Sequence, residues 1–134
     1  MANDCYVYAA LICREVSPGS NNAPNLTDVS DTLFFQGESV SPTLKLFFAI
    51  AGTQPGEHFI QCALITPSGQ RMPPSSGTKV KIVSGRVAAS NHITLQLSGM
   101  TAGTYWFEIV LDGKPTLRLP LTLQSLSTMT SASA

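Results

Sequence analysis

The stretch Thr104-Tyr-Trp-Phe-Glu-Ile-Val-Leu-Asp-Gly-Lys-Pro-Thr-Leu-Arg-Leu-Pro-Leu-Thr-Leu-Gln124 decides the fold. Before Asp112-Gly113, Tyr105, Phe107, Ile109 and Leu111 take every second position; after it, Leu117, Leu119, Leu121 and Leu123 do the same. Side chains on an extended chain point alternately to opposite faces, so each segment is a strand with one apolar face. Glu108, Lys114, Thr116, Arg118 and Thr122 fall on the other, wet face. Asp-Gly suits the two positive φ angles of a type I′ turn, which predicts an antiparallel hairpin.

The same period recurs upstream in Leu44, Leu46, Phe48 and Ile50, in Ile60, Cys62 and Leu64, and in Ile93, Leu95 and Leu97. No stretch sustains the i, i+3, i+4, i+7 spacing of a helix, and nearly every apolar run ends in Gly, Pro, Asn, Asp or Ser. Strands are expected over 4–15, 31–36, 42–51, 57–66, 78–83, 91–98, 104–111 and 114–124. Their inward sets need a second layer, so the predicted fold is all-β: a two-sheet antiparallel sandwich of seven to eight strands, immunoglobulin-like in shape. One domain over 1–124 is expected, followed by a flexible Ser/Thr/Ala-rich tail over 125–134. The polar segment 17–31 reads as a long loop and 71–77, with adjacent prolines, as a second irregular segment.

A chain of 134 residues is long enough for one core without a metal or disulfide staple. Its eight basic and eight acidic side chains cancel, which argues against a nucleic-acid partner. The start, with Asp4 and a nine-residue apolar run from Cys5 to Cys13, reads as a first strand rather than a secretory signal or membrane span. Cys5, Cys13 and Cys62 are odd in number and lack Cys-x-x-Cys spacing, the pattern of reduced buried thiols in a cytoplasmic protein.

Tyr6-x-Tyr8-Ala-Ala-Leu-Ile-Cys-Arg14, the turn Thr66-Pro-Ser-Gly69 and Ala102-Gly-Thr-Tyr-Trp-Phe-Glu-Ile-Val-Leu-Asp-Gly113 resemble a family of small bacterial proteins of unknown function. The resemblance spans most of residues 4 to 123 and implies an immunoglobulin-like sandwich without catalytic residues to carry over. Where that family has a short charged turn after the first strand, this chain has the longer 17–31 segment.

No nucleophile elbow, P-loop, dinucleotide fingerprint or His-Glu-x-x-His is present, and His58 and His92 lie outside any motif with a nucleophile. Both sit near strand starts on the polar side of the alternation, where a surface histidine is expected. Asp28 and Asp31 could hold an ion, but acids in such loops usually cap turns. No cofactor or metal is therefore expected, and the chain reads as non-enzymatic.

Two surface features remain. Residues 1–57 carry six acids and two bases, whereas 58–107 carry Arg71, Lys79, Lys81 and Arg86 with no acid. That basic patch either meets an acidic partner or protects an edge strand from pairing. The second feature is apolar: Trp106 and Val110 fall outward on one strand, Phe47 on another, and Phe59 and Ile65 on a third. If they adjoin, they form an interaction surface. The expected function is a binding or assembly module acting through protein contacts, chiefly with itself, with recognition of a small anionic or carbohydrate ligand by the two loops as the alternative.

Overall fold

The computed structural model describes residues 5–20, 23–74 and 77–126. Ten strands follow one another among them: β1 (Tyr6–Cys13), β2 (Glu15–Pro18), β3 (Pro24–Thr27), β4 (Thr32–Phe35), β5 (Thr43–Ala51), β6 (Gly56–Ile65), β7 (Thr78–Ile82), β8 (Ala88–Gln96), β9 (Gly103–Leu111) and β10 (Lys114–Ser125). They form a three-stranded sheet, β1-β5-β8, a five-stranded sheet, β4-β10-β9-β6-β7, and a two-stranded ribbon, β2-β3. The all-β expectation holds. The strand count does not, because the segment expected as one loop over 17–31 contains a hairpin: Val16 pairs with Leu26 and Ser17 with Asn25. The expected first strand breaks at Arg14 into β1 and β2. Pairing is also not wholly antiparallel, since β4 runs parallel to β10.

The inner faces of the three- and five-stranded sheets share one core. Leu46, Phe48 and Ile50 from β5 meet Ile60 of β6, Phe107 and Ile109 of β9, and Leu121 and Leu123 of β10, all of them fully buried. These are the positions the period of two selected. Leu117 departs from it and is exposed. The ladder between β9 and β10 shifts by one residue between Pro115 and Leu117, and β4 pairs only with the last four residues of β10, so the first half of that strand forms a rim. Ser125, expected in the tail, belongs to β10 and donates from its hydroxyl to the Gly37 carbonyl at 3.1 Å. Of the rest of the expected tail, Leu126 is described and 127–134 lie outside the described residues. Among those described, no helix is long and apolar enough to cross a membrane.

The tip of the β9–β10 hairpin is built as its sequence dictates. Asp112 and Gly113 both take positive φ, at 49° and 83°. Asp112 then serves β6: its Oδ1 accepts the Phe59 amide at 2.8 Å, and its Oδ2 lies 2.7 Å from His58 Nδ1. His58, expected at the surface, is buried on the inner side of β6 opposite Val80. Its contact with Asp112 ties the turn to the neighbouring strand. Gly77, with φ of 79°, returns the chain against β6 so closely that a Cβ there would meet the Ile60 carbonyl oxygen at 2.5 Å.

Candidate functional site: the outer face of the five-stranded sheet

On β9 the outward residues are Thr104, Trp106, Glu108 and Val110. Across from them on β10 stand Thr122 opposite Thr104, Pro120 opposite Trp106, and Arg118 opposite Glu108. On β6, Ile65 lies opposite Trp106, Ala63 opposite Glu108 and Gln61 opposite Val110. After β6 the chain folds back along its edge, with Arg71 bridging to Ile65 and the Met72 amide donating to the Leu64 carbonyl at 2.7 Å. That return brings a second arginine over the face.

The result is a bar of three charges across the sheet. Arg71 Nε and Nη2 donate to Glu108 Oε1 at 2.9 and 2.8 Å, and Arg118 Nε donates to Oε2 at 3.2 Å. Glu108 is only 5% exposed, although the alternation places it on the wet face. Chiefly the hydrogen bond from Arg71, helped by that from Arg118 and by both positive charges, holds its carboxyl below the ordinary glutamate range against the opposing effect of burial. Charge-assisted pairs of this kind fix side chains in place. The bar therefore behaves as a rigid feature carrying one surplus positive charge.

On one side of the bar stand Trp106, 39% exposed, with Pro120 and Ile65; on the other stand Val110 and Gln61, with Phe59, 36% exposed, towards the hairpin tip. Of the expected apolar patch, Trp106 and Phe59 do share this face. Val110 and Ile65 also point outward but are buried, because neighbouring strands and the returning 71–74 segment flank them. Phe47 belongs elsewhere. It lies half-buried on the outer face of the three-stranded sheet, opposite Leu11 and His92. There it lines a groove of about 310 Å³ with Val16, Pro18, Pro24 and His92, beneath the β2–β3 ribbon. The single aromatic patch is thus corrected to two, because the two sheets turn their outer faces in opposite directions.

The basic patch divides as well. Lys79 and Lys81 remain exposed on β7, where Lys79 Nζ lies 3.8 Å from Glu57. Arg86 is exposed in the turn after β7, and Arg71 turns away to Glu108. β7 is an edge of its sheet, as the edge-protection account of its lysines requires. The two expected loops adjoin different grooves: the β2–β3 ribbon lines the one beside Phe47, whereas Pro73 lines one with Cys62, Leu97 and Phe107, at the seam between the sheets. Asp28 pairs with Arg14 at 3.6 Å and Asp31 bonds Thr32, and no group of three metal-ligating side chains occurs among the described residues. None of the three cysteines is in a disulfide, and burial pushes Cys62 up to about 12.

Sequence reading missed Glu108 and Arg118 as site residues. With a two-residue turn, Leu111 pairs with Lys114 and, without a bulge, Glu108 would oppose Leu117. The shift before Leu117 brings Arg118 opposite Glu108 instead. A signal for it existed, since Phe107 and Leu119 can share the inner face only if one residue is skipped.

A family model matches residues 9–124. The chain belongs to a family of unknown function, DUF6941. This is what the resemblance implied. No curated protein matches the sequence significantly. Among solved structures, the alkylpurine DNA glycosylase AlkC of Pseudomonas fluorescens, bound to DNA containing an abasic site analog, is similar over 92% of this chain and 31% of that one, with 10% identity and a TM-score of 0.57. A β-glucosidase of Listeria innocua in complex with isofagomine is similar over 91% of this chain and 16% of that one, with 12% identity and a TM-score of 0.57. The DUF6941 chain spans less than a third of either length, and at such identities the likeness is one of fold. An immunoglobulin-like protein of Pseudomonas aeruginosa aligns with 90% of this chain and 97% of its own, at 12% identity and a TM-score of 0.46.

Proposed function

We propose that this DUF6941 chain is a non-enzymatic assembly module that self-associates through the outer face of its five-stranded sheet. The observation that carries it is the exposed Trp106 beside a clamped Arg71–Glu108–Arg118 bar. Tryptophan and arginine dominate the energetics of protein interfaces, and a side chain held rigid before binding loses less entropy on association. In this proposal the three- and five-stranded sheets are the two layers of an immunoglobulin-like sandwich, with the β2–β3 ribbon added at one side. Three cysteines, none of them in a disulfide, favour a reducing, cytoplasmic setting.

Light scattering over a concentration series tests the proposal. The expected outcome is a mass that rises with concentration for the natural chain and stays monomeric for Trp106→Glu, with unchanged circular dichroism. A natural chain that remains monomeric at high concentration overturns it.

A second reading rests on the groove beneath the β2–β3 ribbon, where Phe47 stands beside the polar Ser90, Asn91 and His92. An aromatic face next to hydrogen-bonding side chains suits a small carbohydrate. Amide resonances of Phe47 and His92 that fail to move with a panel of mono- and oligosaccharides would remove it.

A further inference from the structure

We infer that self-association is head-to-tail, the basic side of the five-stranded sheet receiving the acidic side of a second copy; this rests on the self-association proposed above. The sheet is electrically polar across its width. Towards the β7 edge its outer face carries Arg71, Lys79 and Lys81 against Glu57, a surplus of two positive charges, with the balanced Glu108–Arg118 pair further in on β9 and β10. Beside the opposite edge, β4, stand Asp28, Asp31 and Glu38 against Arg14, a surplus of two negative charges. Strands in a sheet lie about 4.8 Å apart, so the two edges are separated by roughly 19 Å.

Two physical arguments select a second copy and its orientation. The chain as a whole is neutral, so the complement of each surface exists on every copy and needs no other partner. A twofold contact of the basic side with itself would set Arg71, Lys79 and Lys81 against their own kind, and like charges juxtaposed at an interface are costly. Turning the second copy so that its β4 side meets the basic face replaces repulsion with attraction. Phe34 on β4, 55% exposed, then supplies an apolar counterpart to Trp106 and Phe59. Because the two surfaces of one copy differ, the contact is heterologous and builds a ring where the rotation closes and an open chain where it does not.

Charge reversal on each side separately, followed by mixing, tests the orientation. Lys79, Lys81, Asp31 and Glu38 are exposed, so K79E/K81E and D31K/E38K are expected to fold normally. Each variant alone is expected to stay monomeric, because both of its surfaces then carry charge of one sign, and an equimolar mixture to recover association with the two variants alternating. Raising the ionic strength from about 0.05 M to about 0.5 M is expected to weaken association of the natural chain about tenfold, as screening of an attractive contact requires. A mixture that stays monomeric, a variant that keeps the natural mass, or association indifferent to salt overturns the head-to-tail contact. If those results accompany a natural chain that still associates and a monomeric Trp106→Glu, the face stands and only its orientation falls; a monomeric natural chain ends both.

Discussion

Glu108 has lost nearly all its contact with water and keeps its charge because two guanidinium groups replace the lost solvation. Removing the charge without the shape tests this directly. Glu108→Gln keeps the packing and weakens hydrogen bonds to two cations, for a loss of about 1–2 kcal/mol at neutral pH by urea denaturation. The pH dependence has a definite sign. The folded-state value lies below the unfolded one, so the stabilisation is complete above the ordinary glutamate range and fades as pH falls through the folded value. The gap between natural chain and variant is therefore expected to narrow in acid and to stay constant from pH 6 upward.

At the scale of an element, the β9–β10 hairpin shows how much a turn can organise beyond itself. Asp112 occupies the left-handed region, accepts the Phe59 amide and contacts buried His58, so it joins the turn to β6. Asp112→Ala removes both partners and leaves a less tolerant residue at positive φ, for an expected loss of about 2–3 kcal/mol by thermal or urea unfolding. Asp112→Asn retains the amide contact and the tolerance of positive φ, and is expected to cost less than half as much. The hairpin was legible from Asp112-Gly113 and the flanking alternation. Its bulge was legible only as a conflict: an antiparallel ladder from a two-residue turn pairs odd with even positions, yet the inward residues on both strands are odd. Thr116, which donates to the Ile109 carbonyl at 3.1 Å within that shift, resolves the conflict and sets Arg118 over Glu108.

For the molecule as a whole, stability rests on one core filled from both larger sheets. Phe48 lies at its centre with no exposed surface, and Phe48→Ala is expected to cost about 3–5 kcal/mol through lost burial and a residual cavity. Against a typical total of about 5–15 kcal/mol, that loss should lower the denaturant midpoint sharply, whereas Trp106→Glu on the outer face should hardly move it. Period-two alternation alone determined that the chain is all-β, which residues of β5, β8 and β9 face inward with most of those of β6 and β10, and where the last hairpin turns, because these follow from the geometry of an extended backbone. It also separated acidic from basic stretches along the chain. Only the tertiary structure decided which outward residues meet. Phe47 and Trp106 look alike in the pattern yet stand on opposite outer faces; Val110 and Glu108 alternate outward and are still covered; residues 17–31 look like a loop and pair as a ribbon. Alternation specifies a side of a strand, whereas exposure depends on what crosses that side, and that is settled by contacts between residues far apart in sequence.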